Sequence, residues 1–175
     1  MAVDKSMSTE IRYLSPEDYR VFRQIRLEAL ETDPDAFGAL YANACLRTDE
    51  EWKDWVANAI APGRKNIVIA KSEGLPIAMC GFGVSDEDPE AGFLWGMFVS
   101  RKHRGKRCGK QLLKEAEDWL SAHKAKKITA CVAAPNEGAI RFYRKNGYMI
   151  GPASGTLRPG SSIPIHPIEK QLLRS

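Results

Sequence analysis

The most constraining feature of the sequence is a junction where an apolar run meets a basic, glycine-containing segment and then a helical pattern. Leu94 to Val99 is mostly apolar and aromatic, which is typical of a β-strand. The next segment, 100–110, reads SRKHRGKRCGK. From Arg107 to His123 apolar residues recur at helical spacing. The junction therefore predicts a strand, a tight basic turn and a helix N-terminus in direct succession.

A turn of this kind suits an anionic ligand, above all a phosphate group. The free N–H groups and positive dipole at a helix start attract anions, and glycines let a ligand approach the backbone. The spacing excludes a P-loop, because Gly105 and Gly109 bracket three residues instead of four and Gln111 follows Lys110. It also excludes the dinucleotide fingerprint, since no Gly-x-Gly-x-x-Gly occurs and the preceding strands form no βαβ unit.

The remaining pattern predicts one α+β domain over residues 1–175, with residues 1–9 as a flexible N-terminus. Helices are predicted after Ser15 and after Thr48, and three β-rich runs separated by short turns favour an antiparallel meander. A short strand, a helix over 136–146 and another strand follow the strong helix. The last pattern, 165–172, predicts an edge strand interrupted by Pro167.

The composition argues against a membrane protein, a metalloprotein and a nucleic-acid-binding protein. No run of about 18 apolar residues occurs and the first ten residues are polar, so we expect a cytoplasmic protein that does not enter a membrane. The cysteines are scattered without metal-ligand spacing, which predicts free thiols and no metal site. The balance of 26 basic against 22 acidic residues argues against nucleic-acid binding through the basic segment.

Three segments resemble the GCN5-related N-acetyltransferases (GNAT), mainly their bacterial members. The family's pyrophosphate loop reads Arg or Gln-x-x-Gly-x-Gly or Ala at this junction, and Arg104 to Gly109 matches its first and last positions. Arg107 replaces the middle glycine. Residues 136–148 are similar to the family's Asn-x-x-Ala-x-x-x-Tyr-x-x-x-Gly-Phe block, with Tyr148 as the closing aromatic residue. Residues 26–37 are similar to the first helix and loop of many bacterial members.

The resemblance implies the GNAT fold, a mixed and mostly antiparallel central sheet flanked by helices on both faces. In that fold the fourth and fifth strands splay apart at the cofactor site. The implied reaction is direct transfer of the acetyl group of acetyl-CoA to a primary amine, in a ternary complex without a metal. The expected partners are acetyl-CoA and a small-molecule or peptide amine, with no nucleic acid and no membrane, and a homodimer is a compatible assembly.

The resemblance also assigns roles to residues. The strand backbone before the turn would bind pantetheine, the turn would bind the pyrophosphate, and Asn136 would contact the cofactor while capping its helix. Tyr143 would act as the general acid that protonates the departing thiolate. The cofactor-binding set is Met97, Phe98, Val99, Arg104, Gly105, Lys106, Arg107, Cys108, Gly109, Lys110 and Asn136.

Several alternatives stay open from the sequence. The position of a family glutamate base resembles Cys131, a poor base, so Glu28 or the acidic residues Asp86, Asp88 and Glu90 are other candidates. Tyr143 and Cys108 also fit an apolar core, as do Trp52 and Trp55. A non-catalytic acyl-CoA-binding module is the chemically distinct alternative to an enzyme.

Overall fold

The computed structural model describes residues 9–172, in which one seven-stranded sheet carries helices on both faces. The predicted flexible N-terminus lies outside this range except for Thr9, which begins the first strand. The strands are β1 (Thr9–Tyr13), β2 (Lys65–Ser72), β3 (Leu75–Val84), β4 (Ala91–Val99), β5 (Lys127–Ala133), β6 (Met149–Ile150) and β7 (Ile165–Gln171). The helices are α1 (Tyr19–Thr32), α2 (Tyr41–Ala44), α3 (Asp49–Ala59), α4 (Cys108–Ala122) and α5 (Glu137–Lys145).

The sheet has the strand order β1-β2-β3-β4-β5-β7-β6. Every neighbouring pair is antiparallel except β4 and β5, which run parallel. The predicted mixed, mostly antiparallel sheet is therefore confirmed, as is the meander of β2, β3 and β4. The short helix α2 was not predicted, because its four residues carry too little periodicity to stand out.

The two faces of the sheet bury separate apolar clusters, and alternation along β2 shows how. Ile67 and Ile69 pack with α1 and α3 on one face, whereas Val68 and Ala70 pack with α4 on the other. All four are fully buried. Because successive strand residues point to opposite faces, a strand covered on both sides must be apolar throughout. This explains the continuous hydrophobic run and confirms helices on both faces.

Local capping signals set the starts of the early helices. Thr48 and Glu51 form the predicted capping box: the Glu51 N–H donates to Thr48 Oγ1 at 3.2 Å, and the Thr48 N–H donates to the Glu51 carboxylate at 2.7 Å. Ser15 and Asp18 form a similar box, but around a 3-10 turn over Pro16–Asp18, so that α1 begins at Tyr19. These contacts satisfy N–H groups that have no partner inside the helix.

The prediction that the last strand lies at the sheet edge is wrong. β7 lies between β5 and β6, and Pro167 sits opposite Cys131. The Pro167 carbonyl accepts the Gly151 N–H at 2.8 Å. The N–H that a proline lacks would lie on the same side of the strand as this carbonyl, just beyond the end of β6. His166 Nδ1 lies 2.8 Å from the Gly151 carbonyl oxygen and must donate to it. This bond replaces the one that Pro167 cannot make.

The remaining structural predictions concern side chains outside the site. All four cysteines are free thiols. Trp52 is fully buried and Trp55 stacks on Phe22 at a centroid distance of 5.0 Å, so both tryptophans belong to the core. Within residues 9–172, none of the helices combines the length and the apolarity needed to span a bilayer.

Candidate active site

A gap opens between the two parallel strands at the centre of the sheet. β4 and β5 pair at Ala91 with Lys127, Gly92 with Ile128 and Phe93 with Thr129. Both strands continue beyond Phe93 and Thr129 without further pairing, so backbone groups that a sheet normally uses face an opening. The predicted splay between the fourth and fifth strands is present.

A β-bulge on β4 borders this gap. Gly81 pairs with Trp95 and Met79 pairs with Phe98, so the single residue Cys80 lies opposite two residues of β4. One of them, Gly96, has φ = +62°. A left-handed residue in a strand favours glycine, and a glycine within a β-rich run is a known sequence signal of a bulge.

The backbone groups of Phe98 point to a different edge of β4 from the one predicted. The Ser100 N–H donates to the Ile77 carbonyl of β3 at 2.8 Å. Because backbone polar groups alternate between the two edges of a strand, Phe98 also faces β3, while Met97 and Val99 face the gap. Phe98 therefore uses its backbone within the sheet, and Met97 and Val99 keep the orientation that a ligand in the gap requires.

A cleft of about 1050 Å³ lies at the mouth of the gap on the α1 face. It is bordered by the diverging parts of β4 and β5, by β7 and by the segment after α1. Its charged lining residues are Arg26 and Glu169. Cys131 also lines it and is exposed. The cleft is otherwise largely apolar, including Phe37, Leu94, Trp95, Ala130 and Leu157.

The basic turn after β4 leads into α4, which begins at Cys108 with Arg107 as its N-cap. Gly105 has φ = +76° and Arg107 has φ = +64°. In the described part of the chain, the backbone N–H groups from Gly105 to Lys110 have no backbone acceptor, and the first such bond is from the Gln111 N–H to the Arg107 carbonyl at 3.0 Å. Successive free N–H groups at a helix start form a concave anion site.

Two basic side chains of the turn are fixed to the end of α1, and Arg101 is one of them: it donates to the Thr32 carbonyl at 2.6 Å and pairs with Asp33 at 3.2 Å. Arg104 donates through Nε to the Val99 carbonyl at 2.9 Å, forms an ion pair with Asp33 and lies over the Phe98 ring. It therefore ties the turn to the end of α1. Lys106, Arg107 and Lys110 are exposed, so the positive charge next to the free N–H groups is accessible to a ligand.

Cys108 and Gly109 serve packing in this structure. Cys108 is 3% exposed, and burial raises the pKa of its thiol to about 11. The neutral thiol is part of the core, which settles the choice left open by the sequence. A Cβ on Gly109 would lie 3.3 Å from Val99 Cγ2 and 3.5 Å from the Phe142 ring, so the glycine lets the helix start approach β4 and α5 closely.

The second predicted block places Asn136 and Tyr143 on α5. Asn136 is the N-cap, and its Oδ1 accepts the Ala139 N–H at 3.1 Å. Tyr143 is 6% exposed and packs edge-to-face on Tyr148 at a centroid distance of 5.3 Å. Burial raises the pKa of Tyr143 above its usual value, and the nearby Cys80 makes a smaller contribution in the same direction. The phenol therefore holds its proton throughout the physiological range.

The predicted acidic candidates near β4 lie away from the opening. Asp88 forms an ion pair with Lys127 at 3.3 Å and Glu90 forms one with Lys126, next to the end where β4 and β5 are still paired. Asp86 pairs with Arg64. Sequence reasoning missed Glu169, which lines the cleft, because its position depends on β7 lying next to β5 rather than at the edge.

Comparison with known proteins fits this geometry. The sequence profile of the acetyltransferase (GNAT) family matches residues 22–148, which run from within α1 to Tyr148 and include the gap, the turn and α5. The chain belongs to the GNAT family. No curated protein matches the chain significantly.

Solved GNAT structures share the fold of this family member at low identity. A GNAT acetyltransferase from Streptococcus pneumoniae has a TM-score of 0.78 and 20% identity, covering 94% of this chain and 99% of its own. The yncA protein of Salmonella typhimurium, solved with its cofactor acetyl-CoA, has a TM-score of 0.76 and 16% identity, covering 95% of each chain. A ribosomal-protein-alanine N-acetyltransferase from Brucella melitensis has a TM-score of 0.76 and 20% identity, covering 93% and 99%.

Proposed function

We propose that this chain is an N-acetyltransferase that moves the acetyl group of acetyl-CoA to a primary amine by direct attack in a ternary complex. The observation that carries the proposal is the continuity between the β4–β5 gap and the anion site at the start of α4. An extended, uncharged chain fits the gap, and a pyrophosphate fits the turn. Acetyl-CoA carries both parts in this order.

The turn would hold the pyrophosphate mainly through its backbone. Among residues 9–172 the N–H groups from Gly105 to Lys110 have no backbone acceptor, and Gly105 leaves open space where a side chain would stand. Lys106, Arg107 and Lys110 add exposed positive charge. Arg104 would contribute by fixing the turn against Asp33. These donors match phosphate oxygens, which accept several hydrogen bonds each.

The strand edge would hold the pantetheine arm. Met97 and the Val99 N–H face the gap, whereas the Val99 carbonyl accepts from Arg104, and Asn136 lies at the start of α5. When bound, acetyl-CoA supplies a thioester, whose carbonyl carbon an unprotonated amine attacks. Backbone N–H groups at the bulge would orient that carbonyl, because donors that are already aligned stabilise developing negative charge.

Tyr143 would act as the general acid. Proton donation to the departing thiolate lowers the barrier for expelling it. The buried phenol keeps its proton at neutral pH, as an acid must before it acts. Glu169 is the carboxylate in the cleft and would accept the proton of the amine, directly or through water.

The test is an acetyl-transfer assay that follows release of free CoA thiol with a library of primary amines. We expect at least one amine to be acetylated, with a rate that depends on both substrates in the pattern of a ternary complex. Binding of acetyl-CoA without turnover on any amine would instead support the non-catalytic acyl-CoA-binding module. The cytoplasmic location and the homodimer stay predictions.

A further inference from the structure

Arg26 is largely buried, and among residues 9–172 its Nη1 atom has no hydrogen-bond partner. It lies on α1, where its aliphatic stem continues the apolar stripe of the helix. Its Nη1 atom is inaccessible to solvent, and residues 9–172 offer that atom no hydrogen-bond acceptor. The guanidinium instead lies over the Phe37 ring at 5.1 Å. A cation–π contact leaves the N–H donors of Nη1 unsatisfied.

An unpaired buried guanidinium opposes folding. Burial, with a smaller contribution from Arg47, lowers the pKa of Arg26 to about 10, which still leaves it charged at neutral pH. Proteins seldom bury a charge without a counter-charge, because the loss of hydration is not repaid. Such a residue is typical of a site whose partner arrives with a ligand.

The position of Arg26 connects it to the reacting end of the gap. It lines the cleft at the mouth of the gap. A Cβ on Gly96 would lie 3.5 Å from Arg26 Nη1, so the guanidinium is adjacent to the bulge where β4 and β5 have parted. Another arginine nearby is already engaged, since Arg158 donates to the Phe37 carbonyl at 2.9 Å and to the Pro34 carbonyl at 3.3 Å.

We propose that Arg26 binds a carboxylate of the acyl acceptor, so that the acceptor belongs to the class of free amino acids. This inference rests on the proposed acetyl transfer. A planar guanidinium matches a carboxylate through two parallel hydrogen bonds, which also fixes the direction of the acceptor. Glu169 supplies the opposite charge in the same cleft. A mostly apolar cleft with one cation and one anion in its lining suits a zwitterionic acceptor.

The experiment compares a panel of L-amino acids with the matching α-carboxamides as acetyl acceptors, in the wild-type protein and in Arg26→Met. Methionine keeps most of the side-chain length and removes the charge. For each protein we take the ratio of kcat/KM for the acid to kcat/KM for the amide, and we then divide the wild-type ratio by that of the variant. This double ratio cancels the different basicities of the two amines. We expect the best acid to lose about 100-fold in kcat/KM in Arg26→Met and its carboxamide to change by less than about threefold.

Arg23→Met is the matched control, because Arg23 lies on the same helix and is paired with Asp49 at 2.9 Å. It should leave the ratio unchanged. Arg26→Lys, which keeps the charge without the fork, should retain part of the preference. The unfolding midpoint of Arg26→Met should equal or exceed that of the wild type, because an unpaired charge has been removed from the interior. A purely structural arginine would lower it.

The outcomes separate this inference from the proposed function. Acetylation restricted to amines without a carboxylate, or an acid preference that survives in Arg26→Met, overturns the role of Arg26 and leaves acetyl transfer standing. Failure of every amine in both sets overturns both. A lower midpoint in Arg26→Met with an unchanged ratio assigns Arg26 to packing.

Discussion

Arg107 stands where the family loop has a glycine, and the structure gives it a backbone that favours glycine. Its φ of +64° lies in the left-handed region. A side chain there costs roughly 1–2 kcal/mol. Arg107→Gly relieves that strain, while the extra freedom of glycine in the unfolded chain takes back about 0.5–1 kcal/mol. The expected net gain in the free energy of unfolding is about 0.5–1 kcal/mol.

The same substitution should weaken binding of CoA. Arg107 is exposed beside the free N–H groups of the turn, where we expect it to donate to a phosphate. Loss of one charge-assisted hydrogen bond is worth about 1.5 kcal/mol, which corresponds to roughly a tenfold rise in Kd. For a chain of this length the stability gain corresponds to a rise in Tm of about 1–4 °C. Arg107→Gly should therefore be more stable and bind CoA less tightly.

Two further variants separate backbone from charge. Arg107→Ala keeps a Cβ in the left-handed conformation, so it should lose affinity without gaining stability. Lys124 is the matched control, since it is exposed, has φ = +69° and lies beyond the far end of α4. Lys124→Gly should raise Tm similarly and leave the Kd for CoA unchanged.

The assays are thermal unfolding without ligand and calorimetric titration with CoA. A fall in Tm for Arg107→Gly would refute the strain assigned to residue 107. An unchanged Kd in both Arg107 variants would show that its side chain points into solvent and has no part in phosphate binding.

Three other predictions concern the acid, the bulge and an early ion pair. Tyr143→Phe should slow single-turnover acetyl transfer by a factor of roughly 10²–10⁴ with little change in the Kd for CoA, and an unchanged rate would make Tyr143 a core residue. Because burial raises the pKa of Tyr143, the wild-type rate should show no loss of this acid below about pH 10. Gly96→Ala places a Cβ at φ = +62° close to Arg26 and should lower the free energy of unfolding by about 1 kcal/mol in denaturant titrations. The Arg12 ion pair and hydrogen bonds lower the Asp18 pKa to about 2, so stability present above about pH 4 should fall between pH 4 and 2, and Asp18→Asn should flatten that part of the stability curve.

Much of the fold was predictable because its signals are local. The Thr48–Glu51 capping box and the strand-turn-helix junction at Val99 to Cys108 each follow from residues adjacent in sequence. The position of β7 did not follow, because Pro167 is compatible with an interior strand only when β6 is too short to need its N–H. Strand order depends on contacts between distant segments, which no local pattern encodes.

The candidate site was likewise predictable only where its signals are local in sequence. The sequence marked the turn and α5. It gave no sign that the Arg26 guanidinium would lie without an acceptor beside Gly96, or that Glu169 would line the same cleft. Both facts require the packing of α1, β4 and β7 around one opening. The backbone direction at Phe98 likewise depends on the register between β3 and β4.

We expect the β4–β5 gap and the turn before α4 to bind acetyl-CoA as one continuous site. The most direct test of this expectation is calorimetric titration of the wild-type chain with acetyl-CoA and with S-acetyl-pantetheine, which lacks the pyrophosphate and the nucleotide. We expect one acetyl-CoA to bind per chain, and S-acetyl-pantetheine to bind at least about 100-fold more weakly because several charge-assisted hydrogen bonds are lost. No binding of acetyl-CoA, or equal affinity for both compounds, would contradict it.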